Sequence, residues 1–339
     1  MRICIPMASL IVALWGCQSQ PASAAYAGKP LAIVQSIPLS GVEGRIDHFA
    51  WDEKNQRLFV AGLGNNTVEI IDAGKANVVD RIANLKTPQG IAVTPDGRLI
   101  AVANDADGSC RIYDGASMKQ LHTIDLQDDA DNVRYDAVKK LFWVGYGTGG
   151  LAAVDPQSGK VVQNIKLDGH LESFQLEPSG KRIFVNVPSA KHIAVVDREK
   201  NDVIARWPLA DAAANFPMAL DEARHRLFVG CRKPAKLLVL DTESGKTVAT
   251  LDIVGDTDDL FYNAANHRIY VIGGAGRIDT ILQNDANNYT SLSSIETAPG
   301  ARTGLFVASA RRLYVAVPHG GSQQAEIRVF STDKTASPQ

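Results

Sequence analysis

A basic residue followed by three apolar ones recurs seven times along this chain. The runs are Arg57-Leu58-Phe59-Val60, Arg98-Leu99-Ile100-Ala101, Lys140-Leu141-Phe142-Trp143, Arg182-Ile183-Phe184-Val185, Arg226-Leu227-Phe228-Val229, Arg268-Ile269-Tyr270-Val271 and Arg312-Leu313-Tyr314-Val315. A shorter β-type run precedes each, beginning after His48, Gly90, Asn132, Ser173, Pro217, Asp259 and Gly304, at spacings of 42, 42, 41, 44, 42 and 45 residues. A period of this length that drops no unit restricts the chain to repeat architectures, in which each unit buries its apolar faces against its neighbours.

The rest of the unit is strand as well. Turns such as Thr94-Pro95-Asp96-Gly97 and Glu177-Pro178-Ser179-Gly180 close a hairpin between the first two strands. Third strands follow at 67–72, 110–114, 151–155, 193–197, 237–241, 277–281 and 327–330, several ending in aspartate before a polar turn. Fourth strands such as 161–165 and 247–251 complete the units. Continuous apolar runs such as Leu237-Leu238-Val239-Leu240 indicate sheets covered on both faces. The last unit runs out after its third strand, while an unassigned strand at 31–37 precedes the first. The expected fold is therefore all-β, a single seven-bladed β-propeller of four-stranded antiparallel blades. Its ring is closed by the N-terminal strand 31–37 pairing with the last blade, which hides two sheet edges.

The start of the chain reads as an export signal: Met1 and Arg2, an apolar stretch from Ile3 to Trp15, then small residues. It is too short to span a bilayer. Two processing routes are open. Leu14-Trp15-Gly16-Cys17 resembles a lipobox with Cys17 as lipid acceptor, and Ala22-Ser23-Ala24 resembles an ordinary signal-peptidase site. The expected organisation is a signal segment at 1–24, a linker at 25–28, the propeller at 29–333 and a disordered tail at 334–339. The protein is expected to work in the periplasm, either free or, if the lipobox is used, attached to a membrane through a lipid on Cys17. A formal charge of -2 gives no electrostatic footprint for nucleic acid. Of the four cysteines, only Cys110 and Cys231 lie beyond the signal; they fall on blades 2 and 5, too far apart for a disulfide.

The run Leu58-Phe59-Val60-Ala61-Gly62, then Asn65 to Asp72 and Pro88 to Gly97, resembles the YVTN-repeat propellers, including the YncE-like periplasmic proteins. The resemblance covers residues 30–333. It implies the seven-bladed fold and says little of activity, since related propellers include lactonase-like enzymes, quinoprotein subunits and binding proteins.

In a propeller, the loops leading into the innermost strands share one rim with the loops between second and third strands, around the mouth of the central channel. The register places Arg45, Asp47 and His48 there from blade 1, Gln89 from blade 2, Asp131 and Asn132 from blade 3, and His170 and Glu172 from blade 4. Blade 5 supplies Asn215 and Arg232, blade 6 Asp256, Asp258 and Asp259, and blade 7 Arg302 and His319. His225 and His267 fall at the opposite rim and are expected to be solvated.

Two functions fit this pattern. One is an exported binding protein presenting the rim to a small ligand or a periplasmic partner protein. The other is a metal-dependent, lactonase-like hydrolase, with His48 or His170 as acid/base and His48, Asn132, Glu172 and Asp259 holding Ca²⁺, Mg²⁺, Mn²⁺ or Zn²⁺. Against both stands the local role of Asp, Asn and Ser as caps of free backbone N–H groups in turns. The binding reading is preferred, because the polar residues are spread over every blade.

Overall fold

Each repeat forms its own four-stranded sheet for reasons local to its sequence. In blades 1 and 4 the basic residue that opens the second strand anchors the hairpin, Arg57 donating to Asp52 at 2.6 Å and Arg182 to Glu177 at 2.5 Å, while in blade 5 Arg226 donates instead to Asp241 of the third strand at 2.7 Å. The aspartate that ends the third strand holds the next turn. Asp72, Asp114, Asp155, Asp197 and Asp241 each accept a backbone N–H two or three residues on, at 2.8–3.0 Å. This Asx geometry fixes the reversal into the fourth strand.

The computed structural model describes residues 31–333 and Met1. Apart from Met1, the expected signal segment 1–24, the linker 25–28 and the tail 334–339 lie outside the described residues. Seven antiparallel sheets of four strands are present, with short 3₁₀ turns as the helical content of the described residues. The inner strands are Phe49–Asp52, Pro88–Val93, Ala130–Asp136, Phe174–Leu176, Ala213–Asp221, Thr257–Asn263 and Gly304–Val307, for blades 1 to 7. Each packs against the next, and the last against the first, so the sheets form a closed ring.

The core is divided in the same way. Seven apolar clusters fill the seven gaps between adjacent blades. Trp143 is wholly buried in one of them, Trp207 packs against Phe184, and Trp51 stacks on Tyr314. Cys110 and Cys231 are buried free thiols, both pushed up to about 12 by burial. They are packing residues, as the register implies.

The seventh sheet is completed from the other end of the chain. Ala32–Pro38 runs antiparallel to Glu326–Ser331, with Ile37 opposite Ile327 and Ala32 opposite Ser331. Ile37 is fully buried with Leu58, Val60, Ile327 and Val329, in the gap between blades 7 and 1. Ile33 and Val34, on the same strand, are half exposed. The strand therefore contributes both ladder hydrogen bonds and one deeply buried side chain, the latter alone worth about 1.5–3 kcal/mol. Ile37→Ala is expected to cost about 2–5 kcal/mol in denaturant unfolding. Ile33→Ala is expected to stay within about 0.5 kcal/mol. Equal, small losses in both variants would mean that this strand does not hold the ring shut.

Candidate functional site

Irregularities in the inner strands place the residues expected at the rim. Register breaks fall between Pro88 and Ile91, Ala130 and Val133, Asn215 and Met218, and Thr257 and Asp259. A bulge re-aims the side chains at its position, and the residues at these breaks are Gln89, Asp131, Asn132, Asn215 and Asp258. Blades 1 and 4 are bulged just ahead of the strand, where one residue faces two: Ala61 accepts the Asp47 N–H at 2.8 Å and donates to the His48 carbonyl at 3.1 Å, and Asn186 accepts the Glu172 N–H at 3.1 Å and donates to the Ser173 carbonyl at 3.1 Å, while in blade 7 Ala316 donates to Thr303 at 3.0 Å. Gly90 is required by close approach, since a Cβ there would lie 2.1 Å from the Asp131 carbonyl oxygen. That contact sets blade 2 tightly against the segment carrying Asp131.

Two charged groups result. In the first, His48 lies between carboxylates of two blades, Nδ1 at 3.3 Å from Asp259 and Nε2 at 3.6 Å from Asp47. Asp259 also accepts the Gly304 N–H at 2.8 Å, tying blade 6 to blade 7. Arg45 lies 2.8 Å from Asp47 and 3.9 Å from Asp258. Arg232 donates to Asp258 at 2.6 Å, and Arg302 to Asp256 at 3.2 Å.

The second group joins blades 3 and 4. His170 Nδ1 lies 2.8 Å from the Gly147 carbonyl oxygen and 3.3 Å from Asp129, while Nε2 lies 3.8 Å from Asp131. Asp131, His170 and Glu172 each bring one ligand-type atom within 4.8 Å of the others.

Other expected site residues are engaged locally. Gln89 donates to Asp129 at 3.4 Å, Asn215 donates to Asn186 at 2.9 Å and to the His192 carbonyl at 3.2 Å, and His319 lies 3.0 Å from Glu43. Asn132 is buried with neither amide atom hydrogen-bonded within the protein. Of the four residues expected to share a metal, the structure pairs His48 with Asp259 and places Glu172 beside Asp131 and His170. At the opposite rim His225 is exposed, but His267 is not simply solvated. Its ring nitrogens lie 3.1 Å from the Tyr262 hydroxyl and 3.2 Å from Arg224, because these two side chains meet over the turn that carries it.

Burial dominates the electrostatics. It pushes the carboxyls of Glu172, Asp47 and Asp258 upward; nearby acids add to the shift, and the histidines and arginines oppose it. Asp129 is raised to about 6, again by burial first. His170 is raised, mainly by its interaction with Asp131. Burial would lower His48, but Asp259 and Asp47 outweigh it and carry the group up to about 10.

Sequence register missed Asp129 and Arg134. Arg134 stacks on Phe174, its guanidinium carbon 5.6 Å from the ring centre, and the charges of Asp259 and Asp131 act on it. It occupies the register position held by Ala50, Ala92 and Ala219 in other blades. Blades 4, 6 and 7 have Gln175, Phe261 and Phe306 there, so the one charged residue at an otherwise uncharged position was the available signal.

No protein-family model matches the chain. Curated relatives in Salmonella typhimurium and Salmonella typhi, both named "Uncharacterized protein YncE", are 21% identical to it over 300 and 301 residues, covering 82% of this chain and 84% of each relative. Among solved structures, a chain of hydrazine synthase from Kuenenia stuttgartiensis superposes with a TM-score of 0.75 at 15% identity, covering 89% of this chain and 99% of that one. A chain of a mitotic checkpoint complex gives a TM-score of 0.75 at 12% identity, covering 96% and 99%. At such identities the structural likeness concerns the fold alone.

The His48 geometry makes stability depend on pH. Its folded value of about 10 lies above the ordinary 6.5, so its contribution is complete below 6.5 and is lost as pH rises through about 10. In denaturant unfolding, the deficit of His48→Gln against the parent protein is expected to be largest near pH 6 and to close toward pH 10. A deficit that is flat or grows with pH would contradict the ion pair.

Proposed function

We propose that this YncE-like seven-bladed β-propeller is an exported binding protein that takes a small, donor-rich ligand at the mouth of its channel. One observation carries the reading. Buried polar atoms from blades 3, 5 and 6 find no hydrogen-bond partner within the protein: Oδ1 of Asp131, the amide of Asn132, Oδ1 of Asn215 and Oδ2 of Asp258, while buried Asp47 of blade 1 accepts no hydrogen bond and is held by charge alone, Arg45 lying 2.8 Å from its Oδ2. Folded proteins pair more than about 90% of buried polar groups, and each one left unpaired costs about 1–3 kcal/mol. All of these atoms except the Asn132 amide nitrogen are acceptors. The complementary ligand therefore brings N–H or O–H donors or positive charge, as amines, polyols and cations do.

Binding is favoured over lactone hydrolysis by the state of His48. Held between Asp259 and Asp47, it keeps its proton at neutral pH and cannot act there as a general base. The propeller fold and the YncE-like relatives agree with a binding role. Export rests on the signal-like start from Met1 to Ala24.

A thermal-shift survey of amines, polyols and sugar derivatives tests the binding reading. A solute present at 100 times its Kd adds about 2.7 kcal/mol to stability, and Asp47→Asn and Asp258→Asn are expected to weaken its binding at least about tenfold, on the scale of a buried charged hydrogen bond. A complete survey without a shift, or a shift unaffected by both variants, would refute it. For export, mass spectrometry of the protein from the host envelope is expected to find a chain starting after Ala24 or at a lipid-modified Cys17. A chain retaining Met1 would contradict export.

A further inference from the structure

We propose that blades 3 and 4 hold one divalent first-row metal ion of the Zn²⁺ type at the channel mouth, ligated by Asp131, His170 and Glu172. This rests on reading the mouth as the binding site and names a resident of it.

Three observations point to the ion. The first is the donor set. One imidazole nitrogen and two carboxylates come within 4.8 Å of one another, and three such side chains with an open fourth position are the usual arrangement of a reactive zinc site. Donors sharing an ion at about 2.1 Å lie no more than about 4.2 Å apart, so small side-chain movements close the remaining gap.

The second is the orientation of His170. A carbonyl oxygen only accepts, so the 2.8 Å contact with Gly147 places the imidazole proton on Nδ1. This leaves Nε2 as the atom on the side of Asp131, 3.8 Å from its Oδ2. Metal-bound histidines are oriented in this way, with the second ring nitrogen donating to a backbone carbonyl or carboxylate. Gly147 has a φ of +54°, a conformation glycine adopts without strain in the loop that presents this carbonyl.

The third is Asp131 itself. It is 5% exposed, and its Oδ1 has no hydrogen-bond partner within the protein. A buried carboxylate oxygen beside a second carboxylate is stabilised by a cation shared between them. The mixed nitrogen and oxygen set favours Zn²⁺ over Ca²⁺ or Mg²⁺, which prefer oxygen ligands alone. The open fourth position would admit an oxygen or nitrogen of the ligand.

The full mature chain, free of any histidine tag, is stripped with chelator, dialysed and titrated by calorimetry with Zn²⁺, and separately with Ca²⁺. One Zn²⁺ per chain is expected, bound more tightly than Ca²⁺. Glu172→Gln and His170→Gln should each weaken it at least about tenfold. His225→Gln, exposed at the opposite rim, should leave it unchanged. Circular dichroism confirms that each variant keeps its β-sheet. In the unmodified protein, X-ray absorption of the zinc form should show a single imidazole in an otherwise oxygen shell, a readout that needs no variant. No bound Zn²⁺, uptake unaffected by both ligand variants, or a shell without imidazole would overturn the proposal. The titration uses metal alone, so the two readings fail separately. Solute binding that depends on Asp47 and Asp258 without any ion would overturn the metal site only. An ion held by the three residues without any solute would support the metal site while removing the small-ligand reading.

Discussion

The antiparallel pairing of Ala32–Pro38 with Glu326–Ser331 is the contact on which the other features of this molecule rest. Every blade buries both faces against neighbours, so a ring with one incomplete sheet would expose an edge and open the gap between blades 7 and 1. The closing strand joins the two ends of the described chain and seats Ile37 in that gap. Only in a closed ring do residues from blades separated by more than two hundred positions in sequence, such as His48 and Asp259, face each other at 3.3 Å.

Within the ring, two levels of design are visible. In the outer strands and turns most polar groups are held locally: aspartates hold turns, arginines hold hairpins, and a buried Arg198–Asp136 pair at 3.0 Å joins blades 4 and 3, while Gln163 Oε1, Thr280 Oγ1 and Ser293 Oγ, unpartnered there, are single and neutral. At the mouth the pattern is different. Register breaks in the inner strands fall at Asp131, Asn132, Asn215 and Asp258, each with a buried polar atom that has no hydrogen-bond partner within the protein. Proteins tolerate unpaired groups of this kind where binding or chemistry requires them, and compensate with stability elsewhere. Seven blades with filled interblade cores supply that stability.

The fold of this YncE-like seven-bladed β-propeller was legible in the sequence because its signals are local. The basic-apolar run that opens each second strand, the aspartate closing five of the third strands and the spacing of the repeats depend on neighbours a few residues apart. The closing strand could be placed because one blade lacked a strand and one strand lacked a blade. Register also assigned residues such as Asp131, Glu172 and Asp258 to the channel rim. It could not say which of them meet, since that depends on the bulges and on the inclination of each blade. Glu172 faces Asp131 and His170, and His48 faces Asp259, through geometry no spacing encodes. Arg134 was overlooked because an inner-strand position reads as core until the surrounding blades are in place.

The central claim is that the channel mouth is kept polar and internally unsatisfied in order to hold something else. A high-resolution crystal structure of the protein purified from its native host tests this most directly. Density is expected for an ion or solute contacting Asp131 and at least one of Asp47, Asn132 and Asp258. The contradictory result would be these side chains turned to pair with one another or with neighbouring backbone, leaving no group at the mouth in need of a partner.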